Sequence, residues 1–128
     1  MTIEVLLDAS AALAEVHAET GRELVRAQAG RSAMSVVNFA EVVSHLRRLG
    51  VPEFQTELLA EQMGFEVLDA DKFRGCEAGA LHGALPRSGI SLADAFALAL
   101  ARELGVPVLT ADRAWAALDV GVEVRLIR

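Results

Sequence analysis

The sequence predicts an α/β fold in which a parallel sheet carries helices on both faces. Three observations lead there. Short β-like apolar runs alternate along the chain with stretches whose apolar residues recur at helical spacing. Cap residues, Gly and Pro fall at the junctions between the two kinds of segment. No linker, internal repeat or low-complexity tract interrupts the pattern, so the 128 residues read as one domain, 1–128.

Residues 3–7 form an apolar run that stops at Asp8, and a helix is expected from about Ser10. Thr20-Gly21-Arg22-Glu23 has capping-box spacing and opens a short helix with Leu24 and Val25 inward. Residues 33–37 are the next strand. Asn38 then caps a helix carrying Phe39, Val42, Val43, Leu46 and Leu49, which Gly50 ends. Pro52 suits the first turn of a helix through about Met63, with Gly64 as its stop. Residues 65–68 are a brief strand, and Asp71 caps the helix behind it. Residues 85–89 read as a loop. Ser91 to Asp94 open a long apolar helix ended by Gly105, and residues 107–110 are a strand. Asp112 caps a helix with Trp115 and Leu118, before a last strand at 122–127.

Composition excludes several classes. Apolar residues make up 53%, too many for a disordered chain. No stretch of about ten residues lacks Asp, Glu, Lys or Arg, against the ~20 apolar residues of a membrane span. The first residues lack the basic-then-apolar order of a signal peptide, so the expected compartment is the cytoplasm, with no membrane partner. Cys76 is the single cysteine, which leaves no internal disulfide and no thiolate metal cage. A net charge of −6 argues against binding nucleic acid by bulk charge alone. It leaves nucleic acid open as a substrate, because a cation bound at an acidic site supplies positive charge locally.

Four carboxylates fall at one kind of place. Asp8 and Asp112 lie just after strands; Glu41 and Asp94 lie in the first turns of helices. In a parallel α/β sheet all four converge on the carboxyl edge, where ligands bind. Each also has a plain structural role. Asp8 and Asp112 are possible N-caps, and Glu41 and Asp94 sit three residues after Asn38 and Ser91, as capping-box partners would. Four acids together repel one another unless a cation compensates, and hard oxygens without His or Cys suit Mg²⁺ or Mn²⁺ rather than zinc.

Leu6-Leu7-Asp8-Ala9-Ser10, Val36-Val37-Asn38-Phe39-Ala40-Glu41-Val42, the run from Ser91-Leu92-Ala93-Asp94 to Ala101, and Val108-Leu109-Thr110-Ala111-Asp112-Arg113 occur in that order. The set resembles PIN-domain nucleases, in particular the VapC-type toxins of toxin–antitoxin pairs. The resemblance implies a three-layer α/β/α fold with strand order 3-2-1-4-5, and metal-dependent endonucleolytic cleavage of RNA. It maps the family's acidic quartet onto Asp8, Glu41, Asp94 and Asp112. The supporting hydroxyls fall on Ser10 and Thr110 and the supporting amide on Asn38. One or two Mg²⁺ or Mn²⁺ ions would be held by Asp8, Asp94 and Asp112, with Glu41 directly or through water. The cut would be made by a water activated by the ion, which Glu41 orients or deprotonates. An antitoxin partner is implied, with a tail that blocks the acids, and so is a homodimer. High apolar content places a self-associating surface on the early helices, residues 10–63.

Arg87, in the loop before the Asp94 helix, and Arg113, beside Asp112, are candidate phosphate contacts. Asp69 and Asp71 read as caps off to one side. His17, His45 and His82 look lateral or exposed, Cys76 reads as a small packing residue, and Trp115 as the anchor of the last helix. The alternative to an enzyme is a PIN-like RNA-binding or assembly module, which retention of all four acids disfavours. A haloacid-dehalogenase-type phosphatase needs a second Asp where Ser10 stands. A receiver domain needs an acidic pair and a late lysine, both missing.

Overall fold

Strand and helix periods settle into twelve short elements. The computed structural model describes residues 2–128. In chain order these are β1 (Val5–Leu7), α1 (Ala9–Val16), α2 (Arg22–Arg26), β2 (Ser32–Ser35), α3 (Val36–Arg48), α4 (Glu53–Met63), β3 (Phe65–Leu68), α5 (Lys72–Ala84), α6 (Leu92–Leu104), β4 (Val108–Thr110), a 3-10 turn (Arg113–Ala117) and β5 (Val124–Leu126). All pairings are parallel and the order is β3-β2-β1-β4-β5. Both the α/β/α class and the order 3-2-1-4-5 are therefore as expected.

Alternation of side chains along the strands creates the three layers. Leu6, Ala33 and Val108 point to one face, where they pack with α5, α6 and the buried Trp115. Val5, Leu7, Met34 and Leu109 point to the other, against apolar side chains of α1 to α4. Among the described residues no helix is long and apolar enough to cross a membrane.

Several local expectations need correction. Strand β2 ends at Ser35, whose hydroxyl accepts from the Val37 N–H at 3.2 Å and so caps α3. The β-branched pair Val36-Val37 favours a strand, but this cap starts the helix there and carries Asn38 inside it, buried rather than capping. The Thr20–Glu23 capping box does not form; Gly21 is the N-cap of α2 with φ +97° and no side-chain cap. After Asp112 comes a single 3-10 turn rather than an α-helix, with Leu118 as its C-cap. Cys76 is exposed, not packed. The first and last strands, β1 and β5, are shorter than expected, and Asp71 caps α5 through the Arg74 N–H at 2.9 Å, as expected.

Gly21 has a second constraint. A Cβ at that position would lie 2.3 Å from the Ile127 carbonyl oxygen, in addition to the left-handed backbone. Gly21→Ala is therefore expected to cost about 2 kcal/mol or more, read as a fall in the urea midpoint at unchanged slope. A midpoint equal to the parent's would show that the Ile127 segment moves aside freely.

Candidate active site

Strands β1 and β4 run side by side at the centre of the sheet, and their carboxyl ends present Asp8 and Thr110 together. The Asp8 N–H donates to the Leu109 carbonyl at 3.2 Å, so the chain leaves β1 still tied to β4. The Asp8 carboxylate is 4% exposed. Its Oδ2 accepts from the Thr110 hydroxyl at 2.6 Å; its Oδ1 accepts from the Ala11 N–H and the Ser10 hydroxyl, both at 2.8 Å. Ser10 Oγ in turn accepts from the Ala111 N–H at 2.9 Å, and Thr110 Oγ1 accepts from the Asp112 N–H at 3.0 Å. One network thus joins Asp8, Ser10, Thr110 and the backbone of Asp112.

A second group forms where α3 meets α6. Asn38 Nδ2 donates to Glu41 Oε1 at 3.2 Å and to the Ala93 carbonyl at 3.1 Å. It ties the exposed Glu41 to the residue before Asp94. The Ala93 carbonyl is a participant that side-chain chemistry gives no means of finding. Asp94 caps α6 reciprocally with Ser91, its Oδ2 accepting from the Ser91 N–H at 2.9 Å. Asp112 Oδ1 accepts from the Ala114 N–H at 3.0 Å. Both capping roles weighed for Asp94 and Asp112 are therefore real, and each leaves its other carboxylate oxygen without a hydrogen bond among the described residues. No group of three Asp, Glu, His or Cys side chains stands ready-made as ion ligands among those residues.

Electrostatics links the two groups. Burial pushes the Asp8 carboxyl up from its ordinary 3.8 to about 6; hydrogen bonds from Thr110, Ala11 and Ser10 oppose the rise, and the negative charge of Asp94 adds to it. No arginine or lysine pairs with Asp8, Glu41, Asp94 or Asp112 among the described residues, although seven arginines pair with carboxylates elsewhere. Asn38 Oδ1 is buried without a partner.

Asp69 and Asp71 follow β3 at the sheet edge, away from β1 and β4. Arg87 and Arg113 are exposed, on the α5–α6 loop and at the start of the 3-10 turn. His17 and His45, read as lateral or exposed, pair through their Nε2 atoms at 2.9 Å. His17 caps the C-terminus of α1, roughly 13 Å along that helix from Asp8, and His45 lies in the last turn of α3.

The sequence model of the PIN domain matches residues 5–121, a span that contains all four acids. This chain belongs to the PIN domain family. Solved structures share its fold over nearly its full length. A toxin–antitoxin complex from Klebsiella pneumoniae superposes with a TM-score of 0.77 at 16% identity, covering 98% of each chain. A DNA-bound VapBC from Salmonella typhimurium gives 0.75 at 19% identity, covering 99% of this chain and 100% of that one. VapC20 from Mycobacterium tuberculosis, described as a toxin cleaving the sarcin-ricin loop, gives 0.73 at 16% identity, covering 94% and 99%. No curated protein sequence matches this PIN domain.

A divalent cation fits this donor set. Every available ligand at the site is a hard oxygen, and the buried Asp8 accepts only from neutral donors, with no basic side chain paired to it among the described residues. A dication would offset its cost of ionising and the repulsion from Asp94.

Proposed function

We propose that this PIN domain is a divalent-cation-dependent endoribonuclease and the toxin of a toxin–antitoxin pair. The observation that carries the proposal is the buried Asp8 carboxylate, paired with no arginine or lysine among the described residues, facing the charge of Asp94 at the carboxyl edge of the sheet. Membership of a nuclease family supports it, as does a fold shared with a toxin–antitoxin complex and with a toxin described as cleaving the sarcin-ricin loop.

In this reading Asp8, Asp94 and Asp112 would hold Mg²⁺ or Mn²⁺, with Glu41 directly or through water. When bound, such an ion would supply a more acidic water and positive charge to offset the phosphate. Ser10 and Thr110 fix the Asp8 carboxylate through its two oxygens. Asn38 holds one Glu41 oxygen, which orients Glu41 to take a proton from the attacking water. The new P–O bond forms as the P–O3′ bond breaks, leaving a 5′-phosphate and a 3′-hydroxyl; the 2′-OH is not the nucleophile. Arg87 and Arg113 contact phosphates of the strand.

The test is incubation of structured RNA with Mg²⁺ or Mn²⁺, comparing the parent with Asp94→Asn. The parent cuts, and the variant cuts at least about 10²-fold more slowly. Equal cleavage by both would remove Asp94 from the site. No cleavage of any RNA, with no metal binding by calorimetry, would make the protein an RNA-binding or assembly module.

An antitoxin tail lying over the acids is part of the same proposal, and an Arg from it would replace the cation's charge. So is a homodimer. Among the described residues, five exposed large apolar side chains, Val16, Leu24, Leu49, Phe54 and Leu58, fall within residues 10–63, against two, Phe73 and Leu92, outside. Phe54→Ser is expected to shift the protein from dimer to monomer in light scattering at micromolar concentration. A dimer of undiminished strength would place the interface elsewhere.

A further inference from the structure

The α5–α6 loop faces the 3-10 turn across an open cleft of about 620 Å³. Leu85, Pro86 and Arg87 line it from the loop, and Ala114, Ala117 and Leu118 from the turn. Its position is tied to the candidate site through the chain on both sides. The loop runs into Ser91 and the Asp94 cap, while the turn starts at Asp112, whose carboxylate holds the Ala114 N–H. Anything resting on Ala114 therefore sits beside Asp112.

The loop is built rather than loose. The Ser88 hydroxyl donates to the Leu85 carbonyl at 2.8 Å and accepts from the Ile90 N–H at 3.3 Å. That spends its hydrogen bonds inside the loop. Arg87 is the cleft's only cation, and it makes no ion pair among the described residues, whereas Arg22, Arg26, Arg31, Arg74, Arg102, Arg125 and Arg128 all do. In a chain of net charge −6 an unpaired guanidinium on the loop that leads into the Asp94 cap is positioned to draw in an anion that the acids would repel. Apart from Ser88, whose hydroxyl is taken up within the loop, the remaining walls are small or aliphatic. They offer a nucleobase an apolar face to lie on and no hydrogen-bond code for its edge.

We infer that this cleft is a subsite for a nucleotide next to the scissile phosphate, with its base on the Ala114–Ala117–Leu118 surface and its phosphate on Arg87. The inference rests on the endoribonuclease reading and adds to it that cut-site preference is set here, by the size of the neighbouring base. With alanines at 114 and 117 the cleft admits a purine, and a larger side chain there would select against one; the acids contribute nothing to the choice.

Two variants at exposed positions test it, with the full chain, Mn²⁺ and a long RNA of mixed sequence. Ala117→Leu narrows the cleft and is expected to shift the cut sites toward a pyrimidine at one flanking position. Arg87→Ala is expected to raise KM about tenfold and to flatten the dependence of log KM on log salt by about 0.7, with partial rescue by Arg87→Lys. Melting curves matching the parent's exclude misfolding. Should Ala117→Leu fold poorly, the Arg87 pair decides alone. If both variants cut the parent's positions with the parent's KM, the cleft is no subsite, while the endoribonuclease reading stands. If the parent itself cuts no RNA, that reading fails, and the subsite with it.

Discussion

On the endoribonuclease reading, Asp8→Asn is expected to abolish RNA cleavage, by about 10³-fold or more, and at the same time to make the cation-free protein more stable at pH 8. The two effects share one cause. Asp8 is 4% exposed, and its neighbours offer hydrogen bonds but no positive charge. The amide of Asn is neutral, so the penalty of a buried anion disappears. Its oxygen still accepts from Ala11 and Ser10, but its NH₂ now faces the Thr110 hydroxyl that previously donated to Oδ2. Losing that charge-assisted bond gives back about 1 kcal/mol of a gain of about 3, leaving roughly 2 kcal/mol net. Denaturant melts of parent and variant at pH 8 in EDTA measure it. A variant less stable than the parent would mean that the carboxylate network holds the fold together rather than straining it.

Stability of the cation-free parent should fall as pH rises from 4 to 7, in the part due to Asp8. Its carboxyl titrates near 6 in the folded protein and at an ordinary 3.8 in the unfolded chain. Between those values the folded state binds the extra proton. The contribution is therefore complete below about pH 4 and lost as pH rises through 6, where it amounts to about 3 kcal/mol, or roughly 10 °C in Tm. Other carboxylates titrate over the same range, so the quantity to read is the difference between the parent and Asp8→Asn. Millimolar Mn²⁺ should restore the parent at pH 8 and do little at pH 4.5, because only the ionised carboxylate attracts it. A parent–variant difference that stays flat with pH would show that Asp8 is already ionised and compensated without a cation.

Much of this protein is determined by local sequence. Apolar periods of 2 and 3.6, punctuated by Asp71, Ser91, Gly64 and Gly105, place every strand and nearly every helix, because caps and periodicity act within a few residues. The ordered blocks around Asp8, Glu41, Asp94 and Asp112 name the candidate site for the same reason: Asp8, Asp94 and Asp112 each stand at the end of a strand or the start of a helix, whereas Glu41, expected in a first turn, is the sixth residue of α3 because the Ser35 cap starts that helix early. Local rules also misled in places. Asn38 has the chemistry of a cap, yet Ser35 takes that role, and Asn38 is left to tie α3 to α6 through the Ala93 carbonyl. Capping and site geometry turned out to be compatible for Asp94 and Asp112, whose carboxylates hold their own N-termini on the same sheet edge as Asp8.

Only the tertiary structure decided the state of Asp8. Its burial requires Thr110, 102 residues away, to arrive on the adjacent strand, and its raised pKa includes the charge of Asp94 from another layer. The cleft between residues 85–87 and 114–118 likewise exists only because the α5–α6 loop and the 3-10 turn fold against each other. Sequence specifies which groups are present and which end of which element carries them. Desolvation and charge depend on what lies within a few ångströms in space, and no local rule contains that distance.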